Sequence, residues 1–196
     1  VVRESDTLNT PKRKVRLATI LGTIQSTLTD FKYLRKVWKH NTEEERLLGV
    51  SLTGIMDHSV LSKNVDSKRW LEDMKRTAVE TNESYAKVLG IPQSAAITCV
   101  KPSGTVSQLV DAASGIHARH SEHYIRTVRG DSKDPLTQFL IDSGVPAERD
   151  VIKPDSVTVF SFPMQSPKGA VTRIDMSAVS QLELWKTYAL HWCEHK

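Results

Sequence analysis

Cysteine is scarce. The 196 residues hold two, Cys99 and Cys193, too few for the disulfide framework of small secreted domains, so a reduced cytoplasmic setting fits. No apolar run nears the roughly 20 residues that span a bilayer. No charged segment followed by an apolar stretch marks a secretory signal, and no membrane partner is expected. Nine glycines and eight prolines exclude collagen-like and low-complexity chains. Neither sign of charge dominates: 27 Lys and Arg against 23 Asp and Glu leave a net +4. That balance permits a polyanionic partner without requiring one.

What is present is ordinary for a globular chain. Apolar residues make up 39% and charged residues 26%, enough for a packed core over about one domain's length. The chain opens on Val1 rather than Met, and its last segment has helical spacing to Lys196 without a Gly or Pro stop. Both features lead to the expectation of a piece cut at both ends from something longer. No internal repeat, linker or second domain is visible, so residues 1–196 are expected to be part of a single domain.

The punctuation predicts alternating elements. Thr10-Pro11 is a cap and first turn, followed by Leu17, Leu21, Ile24 and Leu28 on one helical face. Residues 30–40 read as a basic, aromatic connector or short helix, with Glu43, Glu44 and Glu45 opening a polar turn. Residues 46–53 (RLLGVSLT) read as a strand, and Asp57 after it as a cap. Asp66 or Ser67 caps a long helix whose apolar face is Trp70, Met74, Ala78, Tyr85 and Leu89, ended by Gly90 and Pro92. Residues 95–100 (AAITCV), 123–129 and 156–162 (SVTVFSF) read as strands. Asp134-Pro135 caps a short helix that stops at Gly144. Residues 177–196 form a last helix with Leu182, Trp185, Ala189 and Trp192 on its apolar face. The alternation predicts an α/β architecture with parallel strands.

The segment 101–107 (KPSGTVS) is the most informative for chemistry. It follows an apolar strand and opens a helix. Gly104 lets a ligand approach the backbone, while Ser103, Thr105 and Ser107 offer hydroxyl donors. Free N–H groups at a helix start suit a phosphate. An ordinary capped turn prefers the same residues, and the Gly-Lys-Ser/Thr ending of a Walker loop is absent. His117, His120 and His123, near Glu122, lack the geometry of a metal site, so no metal is expected. Lys101, Arg119, Arg126 and Arg129 form a basic concentration with Tyr124 as its one aromatic, which fits a small anion or a solvated face as well as single-stranded nucleic acid. Cys99 and Cys193 read as buried small hydrophobes.

Four segments, in order, resemble the large catalytic subunit of ribonucleotide reductase. Residues 97–109 (ITCVKPSGTVSQL) resemble the strand and loop that bind the substrate's phosphates. Residues 114–129 (SGIHARHSEHYIRTVR) resemble the segment after that loop. Residues 46–57 (RLLGVSLTGIMD) resemble an internal barrel strand, and residues 182–196 (LELWKTYALHWCEHK) a helix preceding another. The Lys-Pro-Ser-Gly-Thr-Val wording is nearest the class II, adenosylcobalamin-dependent enzymes, within them the type acting on ribonucleoside triphosphates, found in phages as well as bacteria.

The resemblance implies a fragment of a ten-stranded α/β barrel and thiyl-radical reduction of ribonucleotides to deoxyribonucleotides for DNA synthesis. It implies adenosylcobalamin as cofactor, a ribonucleoside tri- or diphosphate as substrate, thioredoxin or a similar reductant, and a cytoplasmic setting, bacterial or in the host of a phage. Carried over by residue, it assigns substrate phosphate binding to Lys101, Pro102, Ser103, Gly104, Thr105 and Val106, with Ser107 as a flank. The family's finger loop holds an Asn, the radical Cys and a Glu close together. No such grouping exists here, and the resemblance places it upstream of Val1. The fragment is therefore expected to hold no catalytic residue and to be inactive alone. The alternative is a stand-alone nucleotide- or single-strand-binding α/β module; as a reductase piece, no stable nucleic-acid partner is expected.

Overall fold

The computed structural model describes residues 1–63, 65–101 and 103–194. They form two compact units. One joins residues 1–119 to 167–196; the other is residues 120–166.

In the larger unit, helix α1 (Asn9–Gln25) buries Pro11, Val15, Thr19 and Thr23. The leucine face expected from the sequence is not the buried one: Leu17, Leu21, Ile24 and Leu28 are 48–73% exposed. The threonines can go inside because their hydroxyls donate one turn back, Thr19 to the Val15 carbonyl at 2.9 Å and Thr23 to that of Thr19 at 2.8 Å. Asn82, wholly buried on the facing helix, donates to Thr23 Oγ1 at 2.9 Å. The helix also starts earlier than Thr10-Pro11 implies. Leu8 holds the cap position without a side-chain bond, and Pro11 falls in the first turn.

Helix α2 (Lys36–Glu45) exposes every face. Glu43, Glu44 and Glu45 close it rather than open a turn, and Glu43 accepts from the Thr29 hydroxyl at 2.7 Å. Two extended segments then pair in parallel. Leu48 N donates to the Ala96 carbonyl (2.9 Å), Val50 N to Ile97 (2.8 Å), and Cys99 N to Val50 (3.0 Å). The parallel pairing expected from the alternation is thus present, but as isolated bridges, Val50 to Thr98 and Arg119 to Thr172, rather than full strands.

Helix α3 (Ser67–Leu89) packs on α1 and on the last helix. It ends at Gly90 as expected, with φ of 66°, a left-handed turn that a residue without Cβ makes cheaply. Leu71, Met74, Ala78 and Ala86 carry its buried face, with Trp70 and Tyr85 half-buried at the edge and Leu89 exposed. The short helix α4 (Val106–Leu109) follows the 101–107 turn. The last helix runs Ala178–His191, capped by Ser177, whose hydroxyl accepts from Ser180 N at 3.1 Å. It ends short of Trp192, and its core-facing residues are Leu184 and Tyr188, followed by Trp192, all within 1% of full burial. The expected face differs by one step: Leu182 and Trp185 are 63% and 59% exposed.

The smaller unit is a three-stranded antiparallel sheet. Strand β1 (His123–Asp131) pairs along its length with β3 (Val157–Gln165), from His123 opposite Gln165 to Asp131 opposite Val157. The three-residue β2 (Ala147–Arg149) pairs the other edge of β3. Both longer strands sit where the sequence predicts them. Helix α5 (Pro135–Asp142) has the predicted cap, Asp134 Oδ1 accepting from Leu136 N at 2.8 Å, and the chain leaves it at Gly144 with φ of 78°. Gly130 is required on β1, because a Cβ there would stand 2.7 Å from Thr137 Oγ1 of α5. The final helix, Ala178–His191, is α6.

Candidate functional site

The 101–107 turn is built between two anchors. At its start, Lys101 N donates to Ser51 Oγ at 2.9 Å. At its end, Ser107 is fully buried, and both its amide (3.0 Å) and its hydroxyl donate to the Ser103 carbonyl. The Ser107 carbonyl in turn accepts from Ala112 N at 2.9 Å. Between the anchors, Gly104, Thr105 and Val106 are exposed, and Ser103 is half-buried. A Cβ added at Gly104 would meet nothing within 4 Å, so open space lies beside its backbone. Ser107 holds the turn in shape, whereas Thr105 is the exposed hydroxyl. Pro102 lies outside the described residues, as do the last two residues of the 182–196 segment.

Lys101 is exposed, and its side chain crosses Gly49 so closely that a Cβ there would overlap Cε and Nζ. The ammonium therefore lies in a cleft of about 600 Å³ lined by Leu21, Gln25, Thr42, Arg46, Leu48 and Gly49. Arg46 is buried beside it in a left-handed turn (φ 47°), donating to the Ser26 carbonyl at 2.6 Å.

Thr53 was not singled out from the sequence, and Asp57 was read there as a cap. Thr53 Oγ1 meets Ser103 Oγ (2.9 Å), the Ala113 carbonyl (3.0 Å) and Gly115 N (3.0 Å). Asp57 is not a cap. It is 4% exposed and takes both Arg119 Nε (2.8 Å, Oδ1) and Arg119 Nη2 (2.9 Å, Oδ2), while Oδ2 also accepts from Ala113 N at 2.8 Å. Both residues lie in the 46–57 segment, and Gly115 and Arg119 in the 114–129 segment, but nothing local announces a partner so distant in sequence.

Two members of the basic concentration are held in ion pairs. Arg119 is buried against Asp57 and also reaches Asp111 Oδ1 at 3.2 Å. Arg129 on β1 donates to Asp150 Oδ2 at 2.8 Å. Asp150 also accepts from the amides of Ile152 and Lys153, both at 2.9 Å, and its carboxyl is held below the usual range by the Arg129 hydrogen bond first and these amides next. His117 Nδ1 lies 3.2 Å from the Ser114 carbonyl, and His120 packs against the Tyr124 ring at 5.6 Å. Among the described residues no three of His, Cys, Asp and Glu group as metal ligands, and no helix is long and apolar enough to cross a membrane.

The two cysteines are half-buried and face the same seam. Residues 192–194 run along 97–100: Trp192 Nε1 donates to the Cys99 carbonyl at 2.8 Å, Glu194 N to that of Thr98 at 3.3 Å, and the Glu194 carboxylate accepts from the amides of Ile97 and of Thr98 (2.7 Å). Burial pushes both thiols above their ordinary value. Lys101 partly opposes this at Cys99, and the Val100 amide does so at Cys193.

The chain is similar to adenosylcobalamin-dependent ribonucleoside-triphosphate reductases. It is 28% identical to that of Euglena gracilis over 81% of this chain and 22% of the relative. It is 30% identical to a protein of Dictyostelium discoideum described as a probable enzyme of this kind, over 77% of this chain and 20% of the relative. For the enzyme of Lactobacillus leichmannii the identity is 27% over 63% of this chain and 20% of the relative. The chain thus spans about a fifth of the length of the curated relatives it matches. Its fold matches part of a crystal structure of a B12-dependent, class II ribonucleotide reductase with a TM-score of 0.78 and 20% identity, over 92% of this chain and 29% of that one. No family model matches. The resemblance drawn from the four segments is borne out in sequence and in fold.

Proposed function

We propose that this chain is part of the catalytic barrel domain of an adenosylcobalamin-dependent ribonucleoside-triphosphate reductase, and that residues 101–107 hold the substrate's phosphates. The observation that carries the reading is the turn itself. Its back is sewn down at Ser51, Ser103 and Ser107 while Gly104 and Thr105 stay open to solvent. In this reading Gly104 admits the phosphate to the backbone and Thr105 donates its hydroxyl. Pro102, Ser103 and Val106 complete the loop, Ser107 keeps its shape, and Lys101 adds positive charge beside it.

When bound, the cobalamin supplies radical chemistry that side chains alone cannot start. The described residues do not fit as its reactive partner, because Cys99 and Cys193 are half-buried where residues 192–194 run along 97–100, with thiols raised by burial. The share of this segment is to bind and orient the nucleotide. Thioredoxin or a similar dithiol protein is the reductant, and the enzyme works in the cytoplasm.

The test is Thr105→Val in the intact polypeptide, with CTP as substrate. Losing one hydrogen bond to a charged group costs about 1.5–3 kcal/mol, a rise in KM of about 10- to 150-fold. Unchanged KM and kcat would remove the loop assignment.

A further inference from the structure

Thr53 lies outside the loop, after the extended segment that pairs with residues 96–99, yet its hydroxyl joins three stretches of chain. Its neighbours are the Ala113 carbonyl at 3.0 Å, Gly115 N at 3.0 Å and Ser103 Oγ at 2.9 Å. A threonine hydroxyl has one proton and two lone pairs, a carbonyl only accepts, and an amide only donates. Thr53 therefore gives its proton to Ala113 and accepts from Gly115. The contact with Ser103 must then run from Ser103 to Thr53. Every bonding position of the Thr53 oxygen is filled.

This proton count changes the part played by Ser103. Its hydrogen points at Thr53, so toward a ligand its oxygen can only accept, which does not suit a phosphate oxygen. Ser103 is held instead of holding. Its carbonyl, which takes the amide and hydroxyl of Ser107, is fixed with it. Gly115 closes the junction from the other side. Its φ is 54°, and a Cβ there would stand 3.3 Å from the Lys101 carbonyl and 3.6 Å from Ser103 Oγ.

We propose that Thr53 is the positioning residue of the 101–107 loop: through the Ser103 hydroxyl it sets the backbone from which Gly104 and Thr105 meet the nucleotide's phosphates. The inference rests on the phosphate reading above. It assigns Ser103 an anchoring role and leaves donation to Thr105 and the backbone.

The experiment compares Thr53→Val, Thr53→Ser, Ser103→Ala and the Thr53→Val/Ser103→Ala double variant in the intact polypeptide. It reads KM and kcat for CTP and the hydrogen exchange of residues 103–107. For Thr53→Val, which removes all three bonds of the junction, the expected result is an about tenfold rise in KM with kcat within about twofold, and faster exchange in the loop. Thr53→Ser keeps the hydroxyl and should retain the wild-type KM and loop protection. The double variant should match Thr53→Val, because Ser103 reaches the junction only through the Thr53 hydroxyl that this substitution already removes. A wild-type KM in Thr53→Val, a Thr53→Ser as impaired as Thr53→Val, or effects that multiply in the double variant would each overturn the proposal. If Thr53→Val does not fold, Thr53→Ser and Ser103→Ala decide: loop protection retained in the first and lost in the second supports it, and any other pattern overturns it. Exchange is read without substrate, so faster loop exchange beside a silent Thr105→Val would overturn phosphate binding while upholding the anchor.

Discussion

Arg119 and Asp57, 62 residues apart in sequence, meet as a bidentate ion pair with both side chains 3% exposed. The pair clamps the turn Ile55–Asp57 to residues 111–113, because Asp57 also takes the Ala113 amide and Arg119 also reaches Asp111. Ala113 and Thr53 are partners in the junction behind the candidate loop, so this clamp and that junction share a backbone.

Breaking such a pair from one side leaves a buried charge without its counter-ion. Arg119→Met should cost about 3–5 kcal/mol of stability. Chemical denaturation of the intact polypeptide measures it. A loss within the range of a surface pair, about 0–1 kcal/mol, would show that the clamp is not what holds residues 111–113.

Acid should loosen the sheet unit. The Asp150 carboxyl lies below its ordinary value of 3.8 because Arg129 and two amides bind its ionised form. A depressed carboxyl adds stability above its unfolded value, and that stability disappears as pH falls through the folded one. Hydrogen exchange in β1 and β3 should therefore quicken as pH drops from about 3.8 downward, after correction for intrinsic rates. Asp150→Asn should lose this pH dependence; an unaltered acid profile in that variant would assign the effect elsewhere.

The thiols give a third measurement. Cys99 and Cys193 are both raised by burial, and only the thiolate reacts. Alkylation by iodoacetamide at pH 8 should be slower at both than at a cysteine in a short peptide, and should reach the peptide rate once denaturant is added. Native-state rates equal to the peptide's would contradict the packing of residues 192–194 along residues 97–100.

Much of the fold was legible because its signals are local. Asp134-Pro135 capped α5, Ser177 opened α6, Gly90 ended α3, and the β-branched run at 157–162 became β3. The family resemblance was legible too, as wording rather than shape, since KPSGTVS and its three companion segments carried it. The faces of the helices were not. Leucine at 17, 21 and 28 outranks threonine at 19 and 23 on any hydropathy scale, yet the threonines are inside. Their hydroxyls bond to their own helix, and Asn82 of α3 donates to Thr23. Periodicity reports that a helix has an apolar side; it cannot report what stands opposite.

The sequence by itself determined where elements start and stop and which family's wording the chain carries, because caps, turns and motifs are written within a few neighbouring residues. Only the tertiary structure decided that Arg119 is a buried clamp instead of a surface charge, that the parallel segments pair only at single bridges, and that Thr53 stands behind Ser103. Each of these depends on partners some 50 or more residues away, and a hydrogen bond or ion pair across that distance leaves no trace in the local pattern of the chain.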